Sequence, residues 1–194
     1  MGSGPLAAFQ LARQVSRAQR GDPRAFRALY ATLHPAVYGY LAARVRVRAD
    51  AEDLTALTLH RFVDRLDRYD RRKGSVRAWV LTIARNALID HLRARRDVAP
   101  LAEVEHLLAD ARFAPDAREE DPRLQRIREA LADHPPTTRE MFALRYGDGL
   151  RTPEIAALLG LSEAAVKQRF SRTLRTLKQR LATPENEEVA HVPS

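Results

Sequence analysis

At 194 residues the chain can hold one domain or two small ones, each with a modest core. Its 33 Lys and Arg against 25 acidic residues give a net charge of +8, which predicts attraction to polyanions such as nucleic acid or an anionic membrane. The lack of cysteine excludes disulfides, Cys-based zinc sites and redox sensing by the chain itself, and no segment approaches the roughly 18 apolar residues needed to span a bilayer.

The first 20 residues lack the basic start and continuous apolar core of a signal peptide, so the expected location is cytoplasmic. Gly2 does not open a myristoylation motif, because Leu6 stands where that motif wants Ser or Thr. A helix is expected from about Leu6 to Arg20, ending at Gly21. A second opens with Asp22 as cap and Pro23 at its first position, and carries Phe26, Leu29, Tyr30, Leu33, Val37, Tyr40 and Leu41 as its buried stripe, with a bend at Pro35. A third runs from Asp50 to about Tyr69. A polar turn from Asp70 to Gly74 leads to a fourth, from about Ser75 to Arg96. On that fourth helix Val76, Trp79, Val80, Ile83, Ala87 and Leu88 form the apolar side, which makes Trp79 a core residue. Asn86, Asp90 and Arg93 fall at i, i+4 and i+7 on another face, and Arg93, Arg95 and Arg96 make a basic end. With Arg71, Arg72, Lys73, Ser75 and Arg77, this row forms a basic platform able to track a single strand and accept an unstacked base; ordinary solvent exposure is the plainer reading.

Charge is unevenly spread. Residues 1–96 carry 19 basic and 8 acidic groups, residues 97–121 carry 2 and 8, and residues 122–194 carry 12 and 9. Two basic modules thus flank an acidic connector, which contains Pro100 and Pro115 and one short helix-like run, Leu101 to Leu108. The expected architecture is all-α: a helical bundle over 1–96, an acidic linker over 97–121, a second small helical domain over 122–183 and a disordered tail over 184–194.

The second module starts with a helix from near Asp121 to Asp133, breaks at Pro135 and Pro136, and restarts with Thr137 as cap and Glu140 at capping-box spacing. Met141, Leu144 and Tyr146 are expected to pack on the helix pair beyond them, and Gly147 and Gly149 turn the chain into it. That pair, from Thr152 to Leu181, is two short helices joined by a tight turn. Thr152 caps the first, Pro153 and Glu154 suit its first turn, and Ile155, Leu158 and Leu159 give it a buried stripe before Gly160. Ser162 caps the second, on which Val166, Phe170, Leu174, Leu177 and Leu181 build an apolar seam. Basic and amide side chains opposite that seam make it a recognition helix for the major groove of DNA. Glu163, Ala164, Lys167, Gln168 and Ser171 are placed to reach base edges, and Arg169, Arg172 and Arg175 to meet phosphates.

Four blocks taken together, QVSRAQRGDPRAFRALY from Gln14, RADAEDL from Arg48, RAWVLTIARNALIDHLRARR from Arg77 and the stretch from Thr137 to Leu181, closely resemble the extracytoplasmic-function (ECF) sigma factors of bacterial RNA polymerase. The resemblance implies that the first module is sigma domain 2, which binds the polymerase clamp and opens the −10 element. The second would be sigma domain 4, which reads the −35 element, with Thr152 joining the recognition-helix residues, and touches the polymerase flap. The acidic connector would thread the polymerase interior. The turn from Asp70 to Ser75 with Arg77, Asn86, Asp90 and Arg93 would handle the non-template strand, where capture of flipped bases offsets an unstacking cost of a few kcal/mol. The resemblance also implies an anti-sigma factor as partner.

One departure stands out. After Asp50, Glu52 and Asp53 the family usually continues with a Gln-Glu pair and then an aromatic, where this chain has Ala56, Leu57 and Leu59. The polymerase contact implied is therefore Asp50, Glu52 and Asp53 with a more apolar grip at Ala56 and Leu57, or occlusion of these leucines by a regulator. Two functions compete: a promoter-specificity subunit of RNA polymerase, and a stand-alone helix-turn-helix regulator that kept the fold and lost productive polymerase binding. Ala56 and Leu57 are the second reading's only support. An enzyme is not expected, nor a cofactor or metal, because His34, His60, His91, His106, His134 and His191 are scattered without ligand spacing and no Gly-rich phosphate loop precedes a helix.

Overall fold

The computed structural model describes residues 5–45, 47–95 and 122–182, and every regular element among them is helical. The first module consists of α1 (Pro5–Ala18), α2 (Pro23–Ala42), α3 (Arg48–Asp64), a 3-10 turn (Leu66–Arg68) and α4 (Val76–Arg95). The second contains α5 (Pro122–Ala132), α6 (Pro136–Phe142), a π-turn (Ala143–Gly147), α7 (Thr152–Leu159) and α8 (Glu163–Ala182). The acidic linker, its Leu101–Leu108 run and the tail lie outside the described residues.

Most helix starts follow from local chemistry. Asp22 accepts from the Arg24 and Ala25 N–H groups at 2.9 and 3.2 Å, and Pro23 occupies the first position of α2, where a missing N–H costs nothing. A hydrogen bond from Arg17, then one from Ala25, holds the Asp22 carboxyl below its ordinary range. Ser75 Oγ accepts from the Ala78 N–H at 3.2 Å at the start of α4, and Ser162 Oγ from the Ala165 N–H at 3.1 Å at the start of α8. Trp79 lies in the core as expected, against Phe62 and Tyr69 at ring-centroid distances of 5.1 and 5.4 Å.

Four starts or stripes differ from expectation. The third helix opens at Arg48 after an uncapped Val47, and its tail from Leu66 tightens into the 3-10 turn. Thr137 does not cap α6: the helix opens one residue earlier at Pro136, and Glu140 turns away to face the first module. Thr152 is the first residue of α7 and not its cap, since Glu154 reaches back to accept from the Arg151 N–H at 2.8 Å. On α8 the buried seam is Val166, Phe170, Thr173 and Leu177, while Leu174 is 37% exposed. At 100° per residue Thr173 points within about 20° of Val166 and Leu174 about 80° away, so a threonine takes the inward place. The Leu181 side chain lies outside the described residues.

The two modules do not stand apart. One apolar cluster runs from Val15, Leu29, Leu33 and Leu41 through Val80, Leu81 and Leu88 to Met141, Leu144, Leu150, Ile155 and Leu158 of the second module. Gly149, at φ 69°, and Gly160, at φ 68°, take the left-handed turns that fold α7 between the π-turn and α8.

Candidate nucleic-acid interface

α8 presents Glu163, Ala164, Lys167, Gln168, Arg169, Ser171, Arg172 and Arg175 to solvent, while its seam holds it against α7. Lys167 sits 3.8 Å from Glu163 one turn earlier, a loose pair that a base edge or phosphate can displace. Thr152, half-buried, joins Lys167, Ser171, Phe170 and Leu174 in an open groove of about 250 Å³.

Arg145 and Tyr146 complete that groove, and sequence reasoning identifies neither as a surface residue. Tyr146 is expected in the core, yet it is 63% exposed, with its ring 5.6 Å from Phe142. The π-turn explains the difference, because it carries an extra residue and rotates everything after it relative to an α-helix. Arg145 donates to the Leu150 carbonyl at 3.2 Å, which anchors the turn beside the recognition helix.

The residues expected to handle the single strand divide into an open and a covered group. Arg71, Arg72 and Lys73 are exposed on a turn whose shape is fixed from within: Asp70 accepts from the Arg72 N–H at 2.9 Å and the Tyr69 hydroxyl donates to the Gly74 carbonyl at 3.1 Å. Asn86, Asp90 and Arg93 are exposed along α4, with Asp90 3.7 Å from Arg61. Between these groups, Ser75 and Arg77 are half-buried, and the Ser75 N–H is already engaged by Glu154 of the second module at 2.8 Å.

On α3, Glu52, Asp53, Ala56 and Leu57 face solvent, and Asp50 is partly buried 3.7 Å from His91. Glu52 is paired with Arg48 at 2.8 Å, and Leu57 is 40% exposed. Leu59 is 5% exposed and packs inward, so it offers nothing for a regulator to occlude. Among the described residues no group of three or more His, Cys, Asp or Glu gathers as a metal would require, and no helix is long and apolar enough to cross a membrane.

Two helical modules, one ending in a helix-turn-helix whose second helix shows a basic face, define a two-module DNA-binding protein of all-α class. Residues 29–98 match the sigma-70 region 2 family and residues 124–177 the sigma-70 region 4 family. The chain is 36% identical over 174 residues to the RNA polymerase sigma factor CarQ of Myxococcus xanthus, covering 89% of this chain and 98% of CarQ. To the ECF RNA polymerase sigma factor BldN of Streptomyces coelicolor it is 34% identical over 169 residues, covering 86% of this chain and spanning 64% of BldN. Among solved structures it is similar to CnrH in complex with the cytosolic domain of CnrY, at 26% identity and TM-score 0.55 over 87% of this chain and 95% of that one. The chain belongs to the ECF sigma factors of RNA polymerase, and the comparisons support that function and not the stand-alone regulator.

Proposed function

We propose that this chain binds core RNA polymerase through the exposed face of α3, reads a −35 element with α8 and opens a −10 element with α4 and the turn before it. It acts as a specificity subunit in the cytoplasm and not as a catalyst. The observation that carries this reading is the solvent-exposed basic and amide face of α8, held by a capped helix-turn-helix whose other side is fully packed. Residues 1–96 serve as the polymerase-binding and melting domain, 97–121 as the connector, and 122–183 as the −35 domain, which also meets the flap.

Lys167, Gln168, Ser171, Glu163 and Ala164 face the bases; Arg169, Arg172, Arg175, Thr152 and the newly found Arg145 and Tyr146 flank the backbone. Asp50, Glu52 and Asp53 supply the charged part of the polymerase grip and Ala56 and Leu57 its apolar part. An anti-sigma partner is supported by the complex in which CnrH was solved.

The test is substitution of two classes of residue. Lys167→Ala or Gln168→Ala should change which −35 sequences are used, at about 1–3 kcal/mol per lost base contact. Arg172→Ala or Arg175→Ala should weaken all promoters alike and flatten the salt dependence. Promoter-selective loss from the arginines, or unchanged preference from Lys167 and Gln168, would reverse the assignments.

A further inference from the structure

Where the second module lies on the first, charge is paired with unusual order. Glu154, 7% exposed, accepts at 2.8 Å both from the Arg151 N–H beside its own helix and from the Ser75 N–H at the start of α4. Glu140, 4% exposed, lies 3.8 Å from Arg85 of α4 and 3.5 Å from the Tyr40 hydroxyl of α2. Asp148, just past the π-turn, stands in the field of Arg44 of α2 and Arg77 of α4, and the Arg44 guanidinium lies 3.7 Å over the Tyr40 ring. All these carboxylates come from the second module, and the groups that meet them across the seam come from the first.

We propose that this seam is a latch: the free chain closes on itself, Glu140, Asp148 and Glu154 hold the helix-turn-helix module on α2 and α4, and core polymerase draws the modules apart. The second half rests on the sigma-factor reading; the first does not. Apolar contact between the modules supplies adhesion, and the directional charge pairs select one arrangement of the two faces.

Geometry requires the release. Elements named −35 and −10 lie about 25 base pairs apart, roughly 85 Å at 3.4 Å per pair. A compact body of about 150 residues is only about 40 Å across. The connector is long enough, since residues 97–121 can extend to on the order of 85 Å. The closed body also covers Ser75 and Arg77 while leaving the outer face of α3 open. Polymerase can therefore engage α3 with the latch shut, and the strand-handling surface becomes whole only on opening.

The test uses the full chain, whose lack of cysteine allows a single dye pair on introduced cysteines at Ser16 of α1 and Lys178 of α8, both exposed. Free protein should give one narrow high-transfer population, and core polymerase should convert it to low transfer. Arg85→Glu should enlarge the low-transfer population of the free chain and tighten polymerase binding on the order of tenfold, because less of the chain is held in the closed state. Tyr40→Phe, which removes one hydroxyl, should move both readouts the same way by less, and serves if Arg85→Glu fails to fold. A broad low-transfer signal from the free wild-type chain would overturn the closed state. High transfer retained on polymerase would overturn the release, and unchanged transfer in both variants would overturn the charged latch.

Discussion

Replacing Glu154 should be costly in a way that reports on both helices it serves. Its carboxylate satisfies two main-chain donors at 2.8 Å, and a buried donor left unmet costs about 1–3 kcal/mol. The Ser75 donor can regain water if the modules part, so Glu154→Ala should cost about 2–4 kcal/mol and not the full sum. The ion pair with Arg151 adds little, because that guanidinium is 68% exposed. Glu154→Gln keeps an accepting oxygen and loses the charge, which predicts about 1–2 kcal/mol.

Acidity gives a second signature. Burial disfavours the Glu154 carboxylate, but hydrogen bonds from Arg151 and Ser75 outweigh it, so its pKa falls below the ordinary 4.5. A carboxyl lowered in the folded state stabilises fully above its ordinary value and loses that contribution as pH falls through the lowered one. Urea unfolding followed by far-UV circular dichroism should therefore show the Glu154→Gln penalty at pH 7 and its shrinkage toward pH 3. A penalty under about 0.5 kcal/mol, or one indifferent to pH, would refute the double-cap reasoning.

Asp148 predicts the opposite slope. Burial pushes its carboxyl from 3.8 up to about 6, against the pull of Arg44 and Arg77 and with the help of Glu140, so the closed body holds its proton more tightly than an open one. Closure should weaken as pH rises between those values; going down from pH 7.5 to 5.5 should favour the high-transfer state by roughly fourfold, and Asp148→Asn should abolish that dependence. In the core, Leu33 is 1% exposed, and Leu33→Ala should cost about 2–5 kcal/mol in the same urea assay, whereas Tyr30→Ala at a 52% exposed site should cost under about 1.

The helices and the recognition face are legible because each rests on signals a few residues apart: Asp22-Pro23, Gly160, Ser162, and the four-residue recurrence of apolar positions on α2. Boundaries fail where a distant group supplies the cap. Nothing local reveals that Glu140 faces Tyr40 and Arg85 and leaves Pro136 to start its helix. Tyr146 is misplaced when an α-helical period is carried through a π-turn, and Leu174 when a run of leucines outweighs the angular drift that favours Thr173. The packing of one module on the other is illegible altogether, since contacts such as Ser75 with Glu154 join residues far apart in the chain.

The most direct test is transcription by core RNA polymerase with the purified chain on a library of genomic fragments. The sigma assignment predicts that the two co-elute and that the core then starts transcripts at a small set of promoters. Absence of both, with the core shown active by another sigma factor, would contradict it.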